Sequence, residues 1–112
     1  MKARTVKEGL IAIKWILENK GWHQGTCFRD AKGHPINRSV KETNDNLHNI
    51  ASCCLFGAHC LVEYDDHTLP NKVLNALQHS DTNYSMSLFN DEIGRTKDEV
   101  ITLLDKVIRR YQ

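Results

Sequence analysis

No apolar run in these 112 residues approaches the ~20 needed to span a bilayer. The N-terminus also lacks the continuous apolar stretch that marks a secretory signal. From these two absences the sequence predicts a cytoplasmic protein without membrane association. Net charge is equally scarce, since 15 Lys plus Arg against 14 Asp plus Glu leave +1. Generic nucleic-acid binding draws on counterions released by an excess of cations. The even balance, and the lack of a helix-turn-helix pattern, argue against such a partner. Local basic clusters exist at Lys2, Arg4 and Lys7 and at Lys106, Arg109 and Arg110. The second cluster is what the end of a helix favours, because cations there complement its dipole. Solenoid-type repeats and low-complexity tracts are missing as well. Cysteine is limited to Cys27, Cys53, Cys54 and Cys60. In a reducing compartment these are expected as free thiols rather than as a disulfide scaffold.

What is present points to one domain, residues 1–112, long enough to bury a single core without staples. The expected class is mainly α: a compact domain of four principal helices with a loop or short hairpin between the first and second. The first helix is expected over about Val6 to Asn19. Thr5 and Glu8 have capping-box spacing before it, and Gly21 closes it. Val6, Leu10, Ile13 and Leu17 fall three or four apart and make its apolar stripe. Gly9 weakens the first turns and implies close packing or simple tolerance there. From Trp22 to Thr43 periodicity gives way to turn chemistry. Arg29-Asp30-Ala31-Lys32-Gly33 reads as a hairpin tip between Cys27-Phe28 and His34-Pro35-Ile36. A helix-free stretch of that length in a small domain points to a working surface.

A second helix is expected from Thr43–Asp45 to about Leu61, central and most buried, with Leu47, Ile50, Ala51, Cys54, Leu55, Ala58 and Leu61 on its apolar face. Leu69, Val73, Ala76 and Leu77 define a third, with Thr68 as cap and Pro70 in the first turn. Tyr84 to Phe89 fits a helical turn or an extended run equally well. The last helix carries Val100, Leu103, Leu104, Val107 and Tyr111. Thr96 and Glu99 open it as a capping box, each side chain accepting the other's orphan backbone N–H.

The order of these motifs resembles an uncharacterised family of small actinobacterial and phage proteins. The resemblance runs from Gly21-Trp22-His23-Gln24-Gly25 through Asp30, Gly33 and Pro35 to Cys54-Leu55-Phe56-Gly57-Ala58. It continues in Phe89-Asn90-Asp91, Gly94-Arg95-Thr96 and Glu99-Val100. That family usually has Trp-Asn-Asp where this chain has Phe89-Asn90-Asp91, and a Cys-Leu-Gly-Ala-like segment close to Cys54–Ala58. The resemblance implies a compact helical fold and a phage or bacterial origin, and it carries no reaction.

Three kinds of chemistry suit the residues. A thiol nucleophile at Cys54, or at Cys27, would need His23, His48 or His59 as base and Asn90 or Asp91 to orient the ring. The plain alternative is a core cysteine. Metal binding could draw on Cys53, Cys54, His59 and Cys60, but no second ligand pair completes a site, and no metal or cofactor is expected. A polar binding pocket could join Trp22, His23, Gln24, Arg29 and Asp30 to Asn90, Asp91 and Arg95, ahead of the last helix. Its alternative is a turn braced by Asn90 and Asp91, with Arg95 paired to Asp91. The favoured expectation is a non-enzymatic protein, a phage accessory factor engaging a host protein such as a defence component. The binding residues would be Trp22, His23, Gln24, Arg29, Asn90, Asp91 and Arg95. The other expectation is a small enzyme or ligand-binding module using Cys54, His23 and Asn90-Asp91.

Overall fold

The computed structural model describes residues 2–36, 49–78 and 86–111. Among them the order is α1 (Val6–Lys20), β1 (Phe28–Arg29), β2 (Ser52–Cys53), α2 (Leu55–Leu61), α3 (Leu69–Gln78), α4 (Met86–Asp91) and α5 (Lys97–Arg109). The fold is mainly α, with one small antiparallel ladder in which Phe28 pairs with Cys53 and Arg29 with Ser52.

α1 forms where its caps and stripe predict. Thr5 Oγ1 accepts the Glu8 N–H at 3.1 Å, and the Gly21 N–H closes the far end on the Leu17 carbonyl. The box at the start is only half made, because the Glu8 carboxylate takes the Arg4 N–H at 2.7 Å instead of that of Thr5. Gly21 has φ +114°, a backbone that side-chain-bearing residues rarely adopt. Leu10, Ile13 and Leu17 are wholly buried, and α1 packs against α2, α3 and α5. It is therefore the central helix, a place the sequence reading assigned to the second one. Lys14 adds an ion pair to Asp105 of α5 at 2.7 Å. Close packing explains Gly9, since a Cβ there would stand 2.9 Å from both Tyr64 and Val73.

The expected helix from Thr43 to Leu61 is corrected over its described part, while Thr43 to His48 lie outside the described residues. Ile50 and Ala51 are not helical, Ser52–Cys53 is a strand, and the helix begins only at Leu55. The cause is non-local pairing. Phe28 and Arg29 offer strand partners that an apolar periodicity cannot anticipate, and the Cys53 N–H finds the Gly21 carbonyl at 3.0 Å. Cys54 thus becomes the N-cap of α2 instead of a mid-helix residue, its Sγ accepting the Gly57 N–H at 3.2 Å.

The hairpin is present. Asp30 N–H donates to the His34 carbonyl and Ile36 N–H to that of Phe28, both at 3.0 Å, and Arg29 bridges Pro35. Asp66, more than Thr68, organises the entry to α3, its carboxylate accepting both the N–H and the hydroxyl of Thr68. Residues 86–91 resolve the ambiguity before Phe89 in favour of a helix. In α5 the Thr96–Glu99 box is complete, and Val100, Leu104 and Val107 are buried against α1. Tyr111 lies beyond the helix and is exposed, so it leaves the predicted stripe.

Candidate functional site

Of the sequence-predicted site residues, Trp22, His23, Gln24 and Asp91 meet at Asn90, with Arg29 and Arg95 to either side. Asn90 is 1% exposed, at the end of α4. Its Oδ1 accepts the Trp22 indole N–H at 2.6 Å and the Leu55 backbone N–H at 3.0 Å. Its Nδ2 donates to the His23 carbonyl at 3.3 Å and to Asp91 Oδ1 at 2.9 Å. Two acceptor and two donor positions are all that a carboxamide offers, so the side chain is saturated. One buried amide thereby links the loop after α1, the N-terminus of α2 and the end of α4. The bond to Leu55 also satisfies one of the donors that the first turn of a helix leaves open.

The neighbours repeat the pattern. Gln24 Nε2 donates to the Asn90 carbonyl at 3.0 Å and to the Glu92 carbonyl at 2.8 Å. Asp91 Oδ1 also accepts the Gly25 N–H at 3.0 Å. Arg29 reaches the Gly33 carbonyl at 2.9 Å and that of Gln24 at 3.4 Å, tying the hairpin tip to the loop. Asp30 turns away from the junction and braces the tip, its Oδ1 accepting the N–H groups of Lys32 and His34, each at 2.9 Å. The His34 contact, first among the causes, holds its carboxyl below the ordinary value.

Arg95 belongs to the last-helix side of this assembly. Its Nε donates to the Phe89 carbonyl at 2.9 Å and its guanidinium stacks 3.8 Å from the Phe89 ring centroid. The ion partners are Glu92 and Glu99, where the sequence suggested Asp91. Glu99 takes the Thr96 N–H at the same time, and that bond is the main reason its carboxyl is held low.

The groups proposed for thiol chemistry are engaged elsewhere. His23 Nε2 lies 2.7 Å from the Thr26 carbonyl and Nδ1 2.6 Å from Ser52 Oγ. A carbonyl can only accept, so Nε2 carries the proton and, in the neutral ring, Nδ1 accepts the Ser52 hydroxyl. Burial pushes the His23 imidazole below its ordinary value, which favours this neutral form. His59 Nδ1 pairs with the Tyr64 hydroxyl at 3.0 Å, and burial lowers it too. His48 lies outside the described residues. A hydrogen bond with Cys27, together with burial, pushes the Cys54 thiol up, and burial drives Cys53 up to about 12. At neutral pH such thiols are overwhelmingly protonated and poor nucleophiles. Among the described residues no group of three or more His, Cys, Asp or Glu side chains is placed to hold a metal ion. Nor is any helix among them long and apolar enough to cross a membrane.

Sequence reasoning missed two features of the site. Ser52 as the partner of His23 left no signal, because its strand pairing is non-local. Leu88 and Ile93, exposed on either side of Asn90-Asp91, did leave one, as apolar residues inside an otherwise polar turn.

No curated protein and no solved structure matches the chain. A family does: residues 1–110, nearly the whole length, match the family of unknown function DUF6197, and the chain belongs to it.

Proposed function

We propose that this chain is a small accessory protein that works by binding another protein, using a platform made of the loop at residues 22–25 and the turn at residues 88–95. The observation that carries the reading is a contrast within that platform. Asn90, Asp91, Gln24 and Arg95 hydrogen-bond to other parts of the chain, while Leu88 and Ile93 stand 63% and 101% exposed. Apolar side chains displayed on a braced turn lose little conformational freedom when a partner covers them. The half-buried Trp22, His23, Gln24 and Arg29 would border the contact.

The resemblance to actinobacterial and phage proteins supports a bacterial host protein as the partner, met in the host cytoplasm, with a defence component as one case. No cofactor enters this reading. The enzyme or ligand-binding alternative built on Cys54, His23 and Asn90-Asp91 is weaker, because each of those side chains already has an internal partner. Thiol labelling of the folded protein separates the two readings. Cys54 should react slowly near neutral pH, and fast labelling would favour the chemical one.

The binding test compares wild type with Leu88→Asp/Ile93→Asp at near-native expression in a bacterial host. A partner retained by wild type and by Trp15→Ala, which removes an exposed aromatic on α1, but lost by the double variant at unchanged helical content, is the expected result. Equal recovery from wild type and the double variant would sink the proposal.

A further inference from the structure

Cys27 and Cys54 stand across from one another at the end of the ladder. Phe28 pairs with Cys53 and Arg29 with Ser52, so one further step in the same register sets Cys27 opposite Cys54. The Cys54 N–H donates to the Cys27 carbonyl at 3.1 Å, which continues the ladder by one bond. In an antiparallel pair joined this way the Cα atoms lie about 5.5 Å apart, inside the range that a disulfide bridges without moving the backbone. The backbone is also held in place. A Cβ on Gly57 would meet the Cys27 carbonyl oxygen at 2.3 Å, so the first turn of α2 is packed directly on Cys27.

We propose that Cys27 and Cys54 form a reversible disulfide when the protein meets a hydroperoxide. Of the pair, Cys27 is the less buried and is the thiol an oxidant reaches first. Its sulfur attacks the peroxide, an S–O bond forms as the O–O bond breaks, and the products are a sulfenic acid and water or an alcohol. The Cys54 sulfur then displaces the hydroxyl, which leaves as water with the Cys54 proton. Together the two thiols lose two protons and two electrons, which reduce the hydroperoxide. A small dithiol reverses the step by exchange.

Of the other cysteines, Cys53 is badly placed to compete. Cys53 is adjacent in the strand, so its side chain points to the opposite face, where it is wholly buried. Cys60 sits within α2 and is exposed. Because the Cys54 thiol is held in its protonated form, the second step should be slow at neutral pH and accelerate as pH rises. Oxidation also changes what the sulfur does. Cys54 Sγ caps α2, and in the disulfide the same atom staples that cap to the hairpin strand, closing the chain between residues 27 and 54.

The test uses the full chain with Cys60→Ser to remove the exposed thiol, treated with hydrogen peroxide and mapped by mass spectrometry without reduction. A linked Cys27–Cys54 peptide lighter by two hydrogens and restored by dithiothreitol is expected. The oxidised protein should melt higher by about 10 °C, the scale of a closed loop of this length in a small domain. Cys27→Ser should lose both the link and the shift. Cys54→Ser should lose them while remaining folded, since serine is itself a preferred N-cap. A Cys53–Cys54 link, a link only between molecules, or free thiols at both positions after treatment would overturn the proposal.

Discussion

The α1–α5 interface and the Asn90 junction do the same job, fastening distant parts of the chain, by opposite means. Where α1 packs on α5, the buried residues are Leu10, Ile13 and Leu17 on one side and Val100, Leu104 and Val107 on the other, with the Lys14–Asp105 ion pair more exposed. Burial there is non-directional, so the contact depends on volume more than on identity. At the junction one carboxamide serves partners in three segments, and each bond depends on a particular atom in a particular place. The apolar interface should therefore forgive isosteric change and the polar junction should not. The helix ends and surface ion pairs lie between these extremes.

The sharpest way to break that comparison is Asn90→Leu, which keeps the branching of the side chain and removes every hydrogen bond it makes. The Leu55 N–H and the Trp22 indole N–H lose their acceptor, and at ~1–3 kcal/mol for each buried group left unsatisfied the cost should be about 4 kcal/mol. Urea denaturation checks it, and a loss below 1 kcal/mol would mean the junction is ornamental. Next comes Leu104, wholly buried on α5. Leu104→Ala should cost about 3 kcal/mol and Leu104→Met under ~1.5 kcal/mol, from the transfer and cavity terms of large-to-small change. If the isosteric swap were as costly as truncation, the two regions would not differ in the way argued.

Smaller still is the cap of α5. Thr96→Ala removes the acceptor of the Glu99 N–H and should lower the thermal midpoint by an amount equivalent to about 1 kcal/mol. An unchanged midpoint would show that α5 is held by its packing alone.

The weakest effect at neutral pH comes from titration. Burial lowers both His23 and His59 below the ordinary imidazole value of about 6.5, so the folded state binds fewer protons than the unfolded state. Their contribution is present in full above about 6.5 and is lost as pH falls through the lower folded values. For His23 the neighbouring charges are Arg29, which pushes in the same direction, and Asp91, which opposes it. Stability measured from pH 7 to pH 5 should fall, and His59→Gln should flatten the slope. A profile that is level over that range in wild type would contradict the burial argument.

How much of this could be read beforehand differed by element. Thr5, Thr96 and Glu99 marked two helix starts correctly because capping acts over three residues. The stripes of α1 and α5 followed from spacing for the same reason. The second helix failed because Ile50, Ala51, Cys54, Leu55 and Ala58 keep a helical period through a segment that the structure splits into a strand and a short helix. Period alone cannot see Phe28 across the ladder. At the site, the sequence pointed to the Trp22 loop and the Asn90-Asp91 turn together, and the structure brings the two into contact. The Arg95 partner was misassigned, since Glu92 and Glu99 lie nearer its fork than Asp91 does.

Local interactions, then, were within the reach of the amino-acid order: caps, stripes, the hairpin tip and the helical class all arise between residues three or four apart, whose geometry a helix or turn dictates. Only the tertiary structure decided that α1 would be the central helix, that Cys54 would cap α2 opposite Cys27, and that Asn90 would be a buried hub. Those outcomes rest on partners as far as 68 residues apart. The chain must fold before such groups meet, and a buried amide acquires its role only when all of its bonds can be made at once.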